Sequence, residues 1–231
     1  LPEGWKPPYP HTLPGQTKIF NQFTEQDKRE FLRSYYACTS FMDAQVGKLM
    51  DALEKSGQLD NTLIFFFGDH GYHLGEHNWF DKRWIYEESL RTPLIVRWPG
   101  VVEPGTTNRD IVSNLDFAET FLDIAGVRVL EEMQGRSLLP IMKGKTPTDW
   151  RQSIYYHYYE YPAVHMVQKH HGVRNDRYKL IHYYELGEWE LFDLAQDPNE
   201  MNNLYGNPAY SKTVTDLKLE LKRLQAYYKD A

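Results

Sequence analysis

The stretch that most constrains this chain is Thr62–Lys82, TLIFFFGDHGYHLGEHNWFDK. Leu63–Phe67 is a short apolar run rich in aromatic and β-branched residues, the pattern of a strand buried on both faces in a helix-covered sheet. Gly68 ends the run, and Asp69-His70-Gly71 follows where the chain leaves the sheet. In open α/β sheets, ligands bind in the crevice outside the carboxyl ends of the strands. An Asp beside a His at such a place offers one oxygen and one nitrogen ligand to a divalent metal. Lys82, twelve residues after His70, adds a point charge suited to a tetrahedral oxyanion. Asp69 and His70 are thus the candidate metal ligands and Lys82 the candidate catalytic residue, for chemistry on a sulfate or phosphate.

The flanking segments read as an α/β unit. Thr24-Glu25-Gln26-Asp27 is an N-cap with a capping-box acid. Phe31, Tyr35, Cys38, Phe41, Val46, Leu49 and Leu53 then repeat at helical spacing up to Lys55 and Gly57. After the strand, Gly71–Trp84 is too interrupted by glycine for regular structure, and long irregular loops in compact domains are usually functional. Ile85–Arg91 reads as a short helix, Leu94–Trp98 as a strand, and Asn114–Ala125 as an amphipathic helix between Ser113 and Gly126. Gly135–Pro140 reads as a docking loop. From Trp150 the texture becomes Tyr-rich. Ser153–Tyr161, Val173–Tyr184 and Trp189–Leu194, with turn chemistry at Asn175-Asp176 and Leu186-Gly187, predict an antiparallel meander. A final helix over Tyr210–Tyr228 would cover one face of it.

Several rival readings are weaker. His70, His73 and His77 at helical spacing suggest an all-histidine zinc site, but Gly71 and Gly75 break the helix it needs, and Asp69 would have no part. His73, Glu76 and His77 are better used hydrogen-bonding the loop together. Cys38, the single cysteine, excludes an internal disulfide and reads as a buried helix residue. Leu1–Phe23 is Pro-rich and reads as an extended surface segment, with His11 an ordinary loop residue. A net charge of −6 argues against nucleic acid as a partner. No apolar run approaches the roughly 18 residues of a spanning helix.

GDHGYHLGEHNWFDK followed by YEESLRTPLIVRWPG resembles the second half of a type I sulfatase of the alkaline-phosphatase-like superfamily. YYACTSFMDAQVGKLMDAL resembles the family's helix before this strand. GVRNDRYKLIHYY and WELFDLAQDPNEMNNL resemble its small C-terminal subdomain. The resemblance implies an α/β fold: a central, mostly parallel sheet flanked by helices, only part of it present here, plus a small antiparallel sheet packed by a helix. The division falls at residues 1–149 and 150–231. The implied activity is sulfuric ester hydrolysis on a sulfated carbohydrate. A phosphonate monoester or phosphodiester hydrolase is one alternative, and a non-catalytic glycan-binding piece another.

The same resemblance implies that Asp69 and His70 supply two ligands of a divalent metal. Calcium is the family's ion, and the nitrogen ligand keeps manganese and zinc open. The remaining ligands and a formylglycine nucleophile would come from an N-terminal half of the enzyme. Formylglycine arises from Cys in a Cys-x-Pro-x-Arg motif, whereas Cys38 is followed by Thr39, Ser40, Phe41 and Met42. The nucleophile is therefore not expected in this chain, which alone would be inactive. Family members are periplasmic, secreted or lysosomal. Their C-terminal subdomain leans over the active-site mouth, so His165 and His170 in AVHMVQKHHGVRN are candidate substrate-binding residues, with Trp79 and Arg83 as partners from the metal loop.

Overall fold

The structure is a computed structural model that describes residues 23–163 and 167–230. The segment around His11 and the candidate His165 lie outside the described residues. Helix α1, Glu25–Lys55, starts on the expected capping box: Asp27 N donates to Thr24 Oγ1 at 3.2 Å, and Thr24 N donates to Asp27 Oδ2 at 2.7 Å. Cys38 is exposed rather than buried. It lies on the apolar stripe as its spacing predicts, but no residue of α1 is buried among the described residues. Among the described residues, the stripe's aromatic contact beyond the helix is Tyr35 stacked on Tyr72, at 5.8 Å.

Strand β1, Ile64–Phe67, pairs antiparallel with β4, Leu94–Arg97, in the register Phe65↔Val96. Among the described residues the expected mostly parallel sheet is thus represented by one antiparallel pair. Its covered face meets helix α3, Asp116–Ile124, and helix α4, Leu139–Met142. Phe65 lies 5.0 Å from Phe121, and Phe67 lies 4.5 Å from Phe117. Leu138, Ile141 and Trp150 complete this small core. The other face carries Ile95 at 62% exposure, so β1 is not buried on both faces. The Gly135–Pro140 segment docks on α3 as expected, with Gly135 N donating to Glu119 Oε1 at 2.6 Å and Leu138 N to Thr120 Oγ1 at 2.8 Å.

The loop after β1 is more regular than its glycines suggest. His73–Leu74 (β2) pairs with Phe80–Asp81 (β3) around a tight turn at Glu76–Asn78, and Glu87–Leu90 forms helix α2. The C-terminal sheet is the expected meander, in the order β5–β6–β7–β8: Ser153–Tyr158, His170–Asn175, Tyr178–Tyr183 and Glu188–Asp193. All its pairs are antiparallel. Side chains alternate between its faces. Val173, Leu180 and Leu191 meet Leu217, Leu221 and Leu224 of helix α5, Ser211–Tyr227. Ile181, Tyr183 and Phe192 turn the other way, onto Trp79, Trp84, Ile85 and Tyr86. The loop from the α/β part therefore forms one outer layer of the C-terminal sheet. Gly172 permits this approach, because a Cβ there would stand 2.7 Å from Ile85 Cδ1 and 2.6 Å from Leu180 O. Among the described residues no helix is long and apolar enough to cross a membrane.

Candidate active site

Asp69, His70 and Lys82 come together at the end of β1. Gly71 is what lets the chain turn there. Its N donates to Ser89 O at 2.8 Å, and a Cβ on it would overlap Glu88 O at 1.8 Å. Helix α2 is thus a backstop against which the Asp-His-Gly turn lies flush. His70 N donates to Asp69 Oδ1 at 3.0 Å, which orients the carboxylate. His70 Nδ1 lies 2.8 Å from Gly71 O. A carbonyl oxygen only accepts, so Nδ1 carries the proton and Nε2 presents its lone pair. Lys82 Nζ donates to that lone pair at 2.5 Å, and Asp69 Oδ1 lies 3.7 Å from it.

The loop that delivers Lys82 is held in sparsely populated backbone conformations. His77, Asn78, Asp81 and Arg83 have φ of 53°, 59°, 86° and 99°. Non-glycine residues in the left-handed region cost on the order of 1–3 kcal/mol each and persist where packing over-determines them. Here the packing is aromatic. Trp79 stacks on Trp84 at 4.1 Å and His77 on Tyr86 at 4.4 Å. His73 lies among the same rings, with Nε2 3.2 Å from Ser89 Oγ, and His77 Nε2 is 3.6 Å from Glu88 Oε2. His73 and His77 are fully buried while His70 is exposed, so the three histidines are not one site. The pair braces the loop instead.

Burial pushes the His73 pKa down from 6.5 to about 4. The unfolded chain then takes up a proton at higher pH than the folded one does. The stability that neutral His73 contributes is fully present above pH 6.5 and is lost as the pH falls towards 4, by about 3 kcal/mol in all. In His73→Gln, unfolding free energies measured across this range should lose that part of the slope. A slope equal to wild type would show that His73 does not carry it.

The candidate substrate residues fare differently. Trp79 is 1% exposed and His170 is fully buried. Both are corrected to core side chains. His170 stacks on Tyr156 at 5.6 Å, and its Nδ1 donates to Gln168 O at 2.8 Å. It was misplaced because β6 begins at His170, earlier than the alternation suggested. Arg83 Nη1 pairs with Asp81 Oδ2 at 2.6 Å, and Arg83 O accepts from Tyr156 Oη at 2.6 Å. It stays beside Lys82, half-buried.

Sequence reasoning missed the charges behind α2. Lys179, fully buried on β7, holds Glu87 Oε1 at 2.9 Å and Glu200 Oε1 at 2.7 Å. Arg174 reaches Glu87 Oε2 at 3.2 Å, and Glu87 N donates to Glu200 Oε2 at 2.7 Å. Burial alone would raise the Glu87 carboxyl, but Lys179 and Arg174 outweigh it and hold the pKa low. One signal was available: Lys179 shares its strand parity with Ile181 and Tyr183, which face the core.

Asp69 and His70 fit a divalent metal as part of its shell. One carboxylate oxygen and one imidazole nitrogen 3.7 Å apart can bind the same ion at bond lengths of about 2.0–2.6 Å. No cluster of three or more such ligands occurs among the described residues, so any further ligands must come from elsewhere. An Asp-His pair at a strand end, a lysine on the next loop and a C-terminal antiparallel sheet together match the alkaline-phosphatase-like class of fold. The chain belongs to the sulfatase family. The sulfatase family model matches residues 5–127, and that of the N-sulphoglucosamine sulphohydrolase C-terminal region matches residues 75–227.

Among its relatives is an N-acetylglucosamine-6-O-sulfatase of Bacteroides thetaiotaomicron, 49% identical over 205 residues, covering 87% of this chain and 37% of the relative. A choline-sulfatase of Rhizobium meliloti is 37% identical over 189 residues, covering 80% of this chain and 35% of its own length. A solved sulfatase-family structure in complex with D-glucosamine-2-N,6-O-disulfate superposes with a TM-score of 0.87 at 45% identity, over 92% of this chain and 44% of the other. A phosphonate monoester hydrolase of Agrobacterium radiobacter superposes with a TM-score of 0.80 at 26% identity, over 90% of this chain and 43% of the other. The chain spans less than half the length of the relatives it matches.

Proposed function

We propose that this chain is the C-terminal part of a sulfatase that removes sulfate from a carbohydrate, with an O-sulfated amino sugar as the first substrate to test. The observation that carries this reading is the convergence of Asp69 Oδ1, His70 Nε2 and Lys82 Nζ at the end of β1. Similarity to an N-acetylglucosamine-6-O-sulfatase supports the amino sugar. Asp69 and His70 would hold a divalent metal together with ligands from an N-terminal part of the enzyme, and calcium is the family's ion. When bound, the metal draws charge from a sulfate oxygen. The nucleophile, a formylglycine in this family, would come from the same N-terminal part.

This chain's own residues then have defined tasks. The bond from His70 Nδ1 to Gly71 O fixes the ring so that Nε2, not Nδ1, faces the site. Asp69 supplies negative charge beside it. Lys82 brings a proton-bearing cation to where the sulfate or the departing oxygen sits, and its strained loop holds it there. One phosphorus alternative has a specific support: imidazole is a softer ligand than calcium prefers, and the fold matches a phosphonate monoester hydrolase closely.

In the complete enzyme, Asp69→Asn and His70→Ala should each lower bound metal and aryl-sulfate turnover by roughly 10–100-fold. Full metal content and full activity in both variants would remove the site assignment. Faster turnover of a phosphonate monoester than of an aryl sulfate, best supported by manganese or zinc, would favour the phosphorus reading.

A further inference from the structure

The C-terminal sheet carries a second, unassigned constellation on the face turned away from the Trp79–Tyr86 loop. His157, His171 and His182 stand side by side on β5, β6 and β7, in the registers His157↔His171 and His171↔His182. They share strand parity with Tyr155, Val173 and Leu180, so they lie on the α5 face. Gln225 of α5 confirms this, with Nε2 3.2 Å from His171 Nδ1. His182 stands behind His171, and His157 and His171, with Tyr159, Tyr184, Gln225 and Asp230, line an open basin of about 300 Å³. That is the lower end of the ~300–1,000 Å³ range of small-molecule sites, the size for a single ring.

The polar groups of the basin are fixed in advance. Gln225 donates to His171 Nδ1, so His171 donates from Nε2 to His182 Nδ1 at 3.1 Å. Burial pushes both His171 and His182 down to about 4, which keeps these imidazoles neutral. His182 is clamped flat on Trp189, 3.7 Å between centroids. Tyr155 Oη, Tyr159 Oη and His157 Nδ1 all reach Asp230 Oδ2, at 2.7, 2.8 and 2.7 Å. Three donors on one oxygen already compensate that carboxylate, and Oδ1 remains able to accept. Tyr159, 57% exposed and packed at a tilt against His157 with centroids 3.8 Å apart, offers an apolar wall.

An aromatic wall, the neutral imidazole of His171, an amide and a compensated carboxylate suit a ring with many hydroxyls and no charge. A sulfate would meet the Asp230 carboxylate, and no Lys or Arg lines the basin to offset it. We propose that this basin binds one neutral sugar ring, as a subsite on the sheet face opposite the one that receives the metal loop. It would let the protein hold an unsulfated residue of a glycan independently of the chemistry at Lys82.

The test is binding of diacetylchitobiose, a neutral disaccharide, to the protein by isothermal titration and saturation-transfer NMR, with sodium sulfate and tetramethylammonium chloride as controls. The expected Kd is on the order of 1 mM, as for a single ring in an open basin. Tyr159→Ala should weaken it by about tenfold. Tyr159→Phe, which keeps the ring face, should retain most of it, and Asp69→Asn should leave it unchanged. Circular dichroism confirms the fold of each variant, which the exposure of Tyr159 favours. Absence of disaccharide binding overturns the proposal. So does binding that survives Tyr159→Ala, binding lost in Asp69→Asn, or saturable binding of tetramethylammonium alone. Loss of sulfate-ester turnover in Asp69→Asn with disaccharide binding intact keeps this result separate from the catalytic reading.

Discussion

Lys82→Ala is expected to reduce turnover of a sulfate ester by roughly 10²–10³-fold, the loss typical of removing one fixed donor from a developing oxyanion. Lys82 Nζ is held 2.5 Å from His70 Nε2, so its charge already points into the site before substrate arrives. Melting temperature should hardly move, because among the described residues its hydrogen-bond partner is an exposed imidazole. Lys82→Arg should recover only part of the rate, since a planar fork cannot occupy the place of a compact ammonium. Activity equal to wild type in Lys82→Ala, with circular dichroism unchanged, would reduce Lys82 to a solvated surface residue. The imidazole lone pair adds a further constraint. Nε2 has one lone pair, and it either accepts from Lys82 or binds a metal. Metal binding would therefore release the ammonium towards the substrate.

Lys179→Met is expected to cost about 3–5 kcal/mol of unfolding free energy, the usual penalty for removing one partner of a buried ion pair. The substitution leaves Glu87 and Glu200 facing each other, and Glu200 has no exposure with which to recover solvation. Burial already pushes its carboxyl up, with Lys179 offsetting only part of the shift. Urea unfolding of Lys179→Met and of the double variant Lys179→Met/Glu200→Gln separates the terms. The second should be clearly more stable than the first, because it removes the uncompensated charge. A single variant within about 0.5 kcal/mol of wild type, the range of ordinary surface changes, would mean that the network contributes nothing. Because Glu87 sits in the helix that backs Gly71, metal affinity should fall along with stability.

The strands of the C-terminal meander were legible because alternation is strict there and turn residues separate the runs. The expected Val173–Tyr184 stretch differs from β6 and β7 mainly at its first residues. Helices α1 and α3 followed from caps and apolar spacing, and α5 from the spacing of its leucines. The convergence of Asp69, His70 and Lys82 was legible because a strand, a glycine and a polar triplet occur in an order that places them at a strand end. Burial in the irregular loop was not legible. Trp79 sits two residues from a charged turn and reads as a surface aromatic, yet stacking on Trp84 draws it into the core. Periodicity also marked an apolar face of α1 without telling what covers it, which is why Cys38 was misjudged. The Lys179 network was hidden because its members come from three distant segments, and a buried charge declares itself only when its partners are in place.

The shared aromatic core has a consequence for how such proteins can be recombined. Trp79, Trp84, Ile85 and Tyr86 are close to residue 70 in sequence but belong physically to the sheet formed by residues 153–193. A crossover near residue 149 would part them from Ile181, Tyr183 and Phe192, and would leave Lys179 without Glu87. A crossover between Gly71 and His73 keeps both sets intact and passes on the metal loop together with the sheet that shapes it. The family model of the C-terminal region begins at residue 75, close to that seam. A module cut there comprises the sheet with its lysine-bearing loop, and leaves behind the strand that ends in Asp69 and His70.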